Sequence, residues 1–177
     1  MLVVLLGNSG SGKTSLIKKL IKEFNIKRII TATSRQIRPL EVNGEDYIFL
    51  SKEDFEKKIS DGEFVEYTVF SKNYYGSLKR EVEKYLGKEN AILALEKEGI
   101  KNLKNLYPGK VIGIYLDISK NTCLERMQMR NDSHLKIKDR LASFTDYEGL
   151  YDYKLDGEEP FDLVYANLLD LLKKILH

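Results

Sequence analysis

Leu2-Val3-Val4-Leu5-Leu6-Gly7-Asn8-Ser9-Gly10-Ser11-Gly12-Lys13-Thr14 opens the chain and decides its fold class. Leu2 to Leu6 is a continuous apolar run of strand length, as a parallel strand covered on both faces requires. Gly7 to Thr14 fits the pattern G-x-x-x-x-G-K-[ST], and Thr14 to Glu23 carries Leu16, Ile17, Leu20 and Ile21 at helical spacing. A strand, a glycine-rich turn and a helix in that order build an anion cradle. Glycines let the backbone approach a phosphate closely, and main-chain N–H groups converge at a helix N-terminus that already favours negative charge. Lys13 adds a mobile cation, and the Thr14 hydroxyl is placed to ligate Mg²⁺. Gly7, Asn8, Ser9, Gly10, Ser11, Gly12, Lys13, Thr14 and the adjoining Ser15 are the expected contacts of a nucleoside triphosphate. The motif says nothing about what else binds.

Working outward, further strands are expected at Arg28 to Thr31, Ala91 to Leu95, Val111 to Leu116 and Phe161 to Tyr165. Ser51 to Ser60 reads as a helix with Ser51 as N-cap and Asp54 three residues on. Other helices are expected at Arg80 to Leu86, at Gly99 to Tyr107 before the stop Pro108-Gly109, and at Lys120 to Met129. A polar stretch, Asn131 to Ser133, precedes another helix from near Leu135, and Leu168 to Leu176 closes the chain as an amphipathic helix. Strands alternating with helices predict an α/β fold, a parallel sheet covered on both sides. Residues 32 to 80 break the rhythm, being richer in polar and aromatic residues and in turn signals (Asn43-Gly44, Asp61-Gly62, Asn73). There is no internal repeat, low-complexity tract or linker.

A length of 177 residues suits one domain with a real core. With 42% apolar and 32% charged residues, the composition excludes disordered and fibrous classes. The net charge of +2 and the scattered doublets Lys18-Lys19, Lys57-Lys58 and Lys173-Lys174 argue for solvated helix faces, against a nucleic-acid partner. Cys123 is the one cysteine, so no intrachain disulfide forms, and it reads as a small buried hydrophobe. His134 and His177 are too few and too far apart for a metal cage. The apolar opening lacks a basic leader and a cleavage site, so no membrane association is expected and a cytoplasmic location is the default.

Four segments follow the phosphate loop in order: Thr33-Ser34-Arg35-Gln36-Ile37-Arg38-Pro39, Glu41-Val42-Asn43-Gly44-Glu45-Asp46-Tyr47, Gly62-Glu63-Phe64-Val65-Glu66 and Asn73-Tyr74-Tyr75-Gly76-Ser77. With the loop ahead of them, in this order and spacing, they closely resemble the guanylate kinase family over nearly the whole chain. The resemblance implies a P-loop kinase three-layer fold with a parallel sheet, a small insert that binds a nucleoside monophosphate, and a helical lid. It divides the chain into a core of residues 1–31, 81–124 and 141–177, an insert of 32–80 and a lid of 125–140. The implied reaction moves a phosphoryl group from Mg·ATP to GMP or dGMP.

The residue chemistry suits that reading. Arg35 and Arg38 offer two guanidinium forks to one phosphate, and the resemblance adds the hydroxyls of Tyr47 and Tyr75. Guanine presents N1–H and an exocyclic amine as paired donors, which an ionised Glu66 accepts together, while Ser34 and Ser77 serve the remaining polar edge. Adenine lacks that donor pair, and the mismatch supports discrimination on the order of 10⁴-fold. Arg126 and Arg130 stand four apart on one helix face and Arg140 lies on the next, similar to lid arginines that close over the phosphates in the family. The competing reading is a solvated basic helix paired with Glu125 or Asp139. Lys13, Arg38, Arg126, Arg130 and Arg140 are the expected catalytic set.

After the third strand the family shows an acid, an apolar residue, then Asp-x-Gln-Gly. Here stand Ala94-Leu95-Glu96-Lys97-Glu98-Gly99, so Glu96 keeps a carboxylate in the Asp position, while Ala94 removes the first acid and Glu98 replaces an amide. Asn167 matches an Asn that frames the adenine pocket in relatives. Two other readings stand beside this one: a non-catalytic module that binds a phosphorylated protein, and a kinase for another phosphorylated acceptor. The intact Lys13-Thr14 argues against the first, and Glu66 with Tyr75 and Ser77 against sugar phosphates. The oligomeric state is left open.

Overall fold

The computed structural model describes residues 1–70, 72–130 and 132–176; Ser71, Asn131 and His177 lie outside that set. Five strands form the main sheet: β1 (Leu2–Leu6), β2 (Lys27–Arg28), β7 (Ala91–Leu95), β8 (Val111–Asp117) and β9 (Tyr153–Asp156). Their order is β2-β7-β1-β8-β9, and each neighbouring pair is parallel. β1 sits in the middle with β7 on one side and β8 on the other. The chain therefore reverses its direction of travel across the sheet at β1, and the crevice beyond the carboxyl ends of β1, β7 and β8 is the natural ligand position.

Period-two alternation in β1 sends side chains to both faces. Leu2, Val4 and Leu6 join one core with Val82, Ile100 and Leu103 from α3 (Lys79–Glu83) and α4 (Lys97–Leu106). Val3 and Leu5 join a second core with Leu16, Ile17 and Leu20 of α1 (Lys13–Glu23) and Val164, Leu168 and Leu172 of α7 (Phe161–Ile175). Every residue of β1 is fully buried, which explains its unbroken apolar reading.

A second sheet lies between Ala32 and Leu78, ordered β4-β3-β6-β5. It comprises β3 (Ala32–Thr33), β4 (Ile48–Phe49), β5 (Phe64–Phe70) and β6 (Asn73–Leu78), with α2 (Lys52–Ser60) packed on it through Phe55. Phe55 stacks on Phe64 at 4.3 Å and on Tyr74 at 5.2 Å. Ser51 caps α2 as expected, its Oγ accepting from the Asp54 N–H at 2.9 Å. α5 (Lys120–Met129) and α6 (His134–Ala142) share a small core of Ile118, Cys123, Met127 and Ile137. No helix among the described residues is long and apolar enough to cross a membrane.

Three expectations need correction. Phe161 to Tyr165 is the start of α7 rather than a strand, and the last strand is β9. A short apolar run does not separate a strand from a buried helix; here Pro160 precedes the first turn, Asp162 lies in it, and Val164, Leu168 and Leu172 continue the four-residue spacing. The strand at Arg28 to Thr31 shortens to Lys27–Arg28, although the Ile29 N–H still reaches the Ile92 carbonyl at 2.9 Å. The helix at Arg80 to Leu86 ends at Glu83 and passes into turns.

Burial on both faces of β1 has a measurable consequence. Leu5→Ala should cost about 3 kcal/mol in urea unfolding, whereas Leu106→Ala, at a side chain 46% exposed, should cost under about 1 kcal/mol. Equal losses would contradict the placement of the sheet between two cores.

Candidate active site

The loop from Gly7 to Gly12 leaves β1 at the topological switch and runs into α1. Gly10 takes φ +92°, and a Cβ there would lie 2.7 Å from the Cys123 carbonyl oxygen, so the loop is pressed against α5 with no room for a side chain. Lys13 folds back inside the turn, its Nζ donating to the Gly7 carbonyl at 2.6 Å and the Asn8 carbonyl at 3.0 Å. Burial lowers its pKa to about 8, a shift that the Glu96 carboxylate opposes. The side chain of Asn8 is turned away from this interior. It exchanges two hydrogen bonds with the main chain of Thr145, at 3.0 and 2.9 Å, tying the loop to the segment after α6. Tyr147 adds a bond from its hydroxyl to the Gly7 carbonyl at 3.3 Å.

A cleft of about 660 Å³ opens in front of the loop. On the loop side it is lined by Ser9, Gly10, Gly12, Lys13, Thr14 and Ser15. The β3–β4 connection contributes Arg35, Arg38 and Tyr47, β5 and β6 contribute Glu66 and Tyr75, the end of β7 contributes Ala94 and Glu96, and the α5–α6 region contributes Arg130 and Arg140. Another cavity, about 390 Å³, lies at the amino ends of the strands beside Met1, Asn90 and Lys110, remote from every motif residue.

Arg35 is held by Glu41 in a two-pronged ion pair, both bonds 2.8 Å, with its guanidinium 5.4 Å from the ring centres of Tyr47 and Phe49. Glu41 also accepts the Arg38 N–H at 2.9 Å. Those two donors, Arg35 first, push the Glu41 pKa down to about 2, and the same ion pair raises that of Arg35. Tyr47 and Tyr75 meet edge to face at 6.4 Å. Arg38 keeps its side chain exposed to the cleft.

Glu66 sits at the cleft floor. Burial raises its pKa to about 7, and the nearby Glu96 carboxylate adds to the rise, whereas the Ser77 hydroxyl, donating to Oε1 at 2.8 Å, works against it. Gly99 of α4 makes room for it: a Cβ there would lie 2.9 Å from Glu66 Cγ. Glu96 occupies the N-cap position of α4 without a side-chain cap bond, so its exposed carboxylate faces the cleft. Glu98 points elsewhere, paired with Lys101 at 2.8 Å. Its extra charge is neutralised away from the cleft.

Several expected site residues stand apart from the cleft wall. Ser34 accepts the Tyr74 N–H at 2.8 Å and pins β3 to β6, rather than facing a base. Ser77 is fully buried behind Glu66 and acts through it. Arg126 lies beside Gly12, its Nη2 donating to the Gly157 carbonyl at 3.0 Å. Asn167 is an exposed residue of α7. The competing picture of α5 and α6 as a solvated face paired with Glu125 or Asp139 is also replaced: Arg130 and Arg140 both bond to Asp132. Sequence reasoning missed Glu41, Thr68, Phe70 and Asp132. Glu41 and Asp132 lay within quoted segments, yet nothing in their spacing reveals a partner.

A family model described as guanylate kinase matches residues 1–175. The chain belongs to the guanylate kinase family. It is 37% identical to a guanylate kinase of Mycoplasma pneumoniae across 96% of this chain and 74% of that one. A guanylate kinase of Fusobacterium nucleatum is 36% identical across 89% and 88% of the two chains. The crystal structure of guanylate kinase from Anaplasma phagocytophilum shares the fold, with a TM-score of 0.72 and 23% identity over 98% of this chain and 84% of that one. In this guanylate kinase family member, an anion cradle and a guanidinium–phenol cluster line one cleft.

The close approach at Gly99 is open to test. Gly99→Ala should displace the Glu66 carboxylate and raise the KM for a guanine acceptor by about tenfold or more, with the KM for ATP nearly unchanged. Parallel increases in both constants would mean that the substitution disturbs the whole cleft instead.

Proposed function

We propose that this chain transfers the γ-phosphoryl group of ATP to GMP or dGMP, giving ADP and the guanosine diphosphate. The observation that carries the reading is that Lys13 and Thr14 line the same cleft as Arg35, Arg38, Tyr47, Tyr75 and Glu66. The loop amides and Lys13 would hold the β- and γ-phosphates, and Thr14 with those phosphates would hold Mg²⁺. The fit is supported by a turn too tight for a Cβ at Gly10, with the Lys13 ammonium drawn inside it. Mg²⁺ supplies charge neutralisation on the phosphate oxygens.

Arg35, Arg38, Tyr47 and Tyr75 orient the acceptor phosphate. One of its oxygens attacks the γ-phosphorus in line as the bond to the β–γ bridging oxygen breaks. The attacking oxygen is already anionic, so the transfer balances with no proton moved and needs no side-chain base. Catalysis is then alignment and charge stabilisation, the part assigned to Lys13, Arg38, Arg130 and Arg140. Arg126, beside Gly12, approaches from the loop side. In this reading residues 32–80 are the acceptor insert and 125–140 the lid, whose closure excludes water from the cleft. Ser34 and Ser77 act by holding the insert and Glu66, Glu96 faces the acceptor, and Asn167 flanks the adenine side.

A coupled assay of ADP release with GMP, dGMP, AMP, CMP and UMP tests the assignment. Turnover should be confined to the guanine acceptors, and robust use of AMP in preference to GMP would refute it. Glu66→Ala should weaken GMP use by at least about a hundredfold while sparing ATP binding.

The pH response follows from Glu66. Guanine needs the ionised, accepting form, which is lost as pH falls through about 7. The apparent GMP affinity scales with the ionised fraction, so it should drop about tenfold toward pH ~6. Protonation of the GMP phosphate contributes to any such drop, and Glu66→Gln should retain only that part. An identical pH profile in both proteins would exclude Glu66 as the titrating group.

A further inference from the structure

Arg130 and Arg140 are both engaged within the protein. Arg130 Nη2 and Arg140 Nη1 donate to the same oxygen of Asp132, at 2.7 and 2.9 Å. Two guanidinium groups held this close repel one another unless an anion stands between them. A guanidinium has five N–H donors, so sharing one carboxylate oxygen uses one donor from each and leaves the others for phosphate. The arrangement pairs the two arginines without spending them.

Arg140 has a second hold, and it comes from another part of the fold. Its guanidinium carbon lies 5.0 Å from the ring centre of Phe70, within range of a cation–π contact. Phe70 is the last residue of β5, the end strand of the second sheet. Glu66, Thr68 and Phe70 alternate along that strand, and all three line the cleft. One strand therefore carries the base-facing carboxylate at one point and, four residues on, the ring under a phosphate-facing arginine.

We propose that Phe70, acting with Asp132, is a positioning residue that seats Arg140 over the cleft from the acceptor-binding sheet. Movement of that sheet onto an acceptor then carries Arg140 with it, and the charge that steadies the transferring phosphoryl group arrives with the acceptor. This rests on the guanylate kinase reading of the cleft. An acceptor can bind without the seat; the transfer step uses it.

The test compares the wild-type chain with Phe70→Leu, which keeps an apolar side chain without a ring, and Phe70→Trp, which keeps a ring. Asp132→Asn probes the other hold. Steady-state kcat and KM, GMP binding without ATP by calorimetry, and thermal midpoints are measured for all four. Phe70→Leu should lower kcat about fivefold while GMP affinity stays within about twofold, and Phe70→Trp should restore kcat. Asp132→Asn should lower kcat further, because it releases both arginines. A wild-type kcat in Phe70→Leu would overturn the proposal. So would a joint loss of kcat, GMP affinity and thermal midpoint that Phe70→Trp fails to correct, since that pattern marks packing of the sheet alone. Absence of GMP turnover in the wild-type chain would overturn the reading of the cleft and this inference with it, whereas robust wild-type turnover with an indifferent Phe70→Leu would overturn the inference alone.

Discussion

Two phosphate esters repel, and the cationic side chains gathered in this cleft answer that repulsion. At 4 Å, two unit charges of like sign cost about 4 kcal/mol at an effective dielectric constant near 20, and each phosphate carries more than one charge. The cleft counters with Lys13, Arg35, Arg38, Arg130 and Arg140 on its walls. Those cations would repel one another in turn, and the structure offsets that with anions placed behind them. Glu41 backs Arg35, Asp132 bonds to both Arg130 and Arg140, and the Glu96 carboxylate acts electrostatically on Lys13.

The fold makes this charge pattern possible by assigning each group to a different support. The apolar β1, buried on both faces, fixes the phosphate loop. The second sheet and its β3–β4 connection, with their own core around Phe55 and Phe64, present the cleft-lining Arg35, Arg38, Tyr47, Tyr75 and Glu66. α5 and α6, with a small core of their own, present Arg130 and Arg140. The Asn8–Thr145 exchange and the Tyr147–Gly7 bond tie the loop to the chain emerging from α6. Ligand-facing side chains thus rest on separate supports that meet at the carboxyl ends of the parallel strands, where α/β sheets place their ligands.

Much of this is legible in the sequence, for identifiable reasons. Leu2–Leu6, Ala91–Leu95 and Lys120–Met129 have the bounds that apolar runs and caps predict. Those elements are long or fully buried enough for periodicity to speak. The phosphate loop is readable because its function is carried by backbone conformation, which glycines announce. Phe161 to Tyr165 misleads because five apolar-rich residues suit a strand and the first turn of a buried helix equally well. In the second sheet β3 and β4 escape because they are two residues each, too short for any pattern to register. Roles that depend on partners are the least visible. The bracing of Arg35 by Glu41, the diversion of Ser34 to Tyr74 and the contact of Arg140 with the Phe70 ring are tertiary facts, and composition at those positions does not encode them.

Phosphoryl transfer here requires two nucleotide subsites that face one another across a single cleft, and a bisubstrate probe addresses this most directly. Adenosine and guanosine joined through a five-phosphate bridge should bind once per chain and compete with both ATP and GMP. Its affinity should exceed that of either nucleotide alone, as expected when one linked ligand fills two adjacent sites. Competition with one nucleotide only, or two molecules of probe bound per chain, would contradict it.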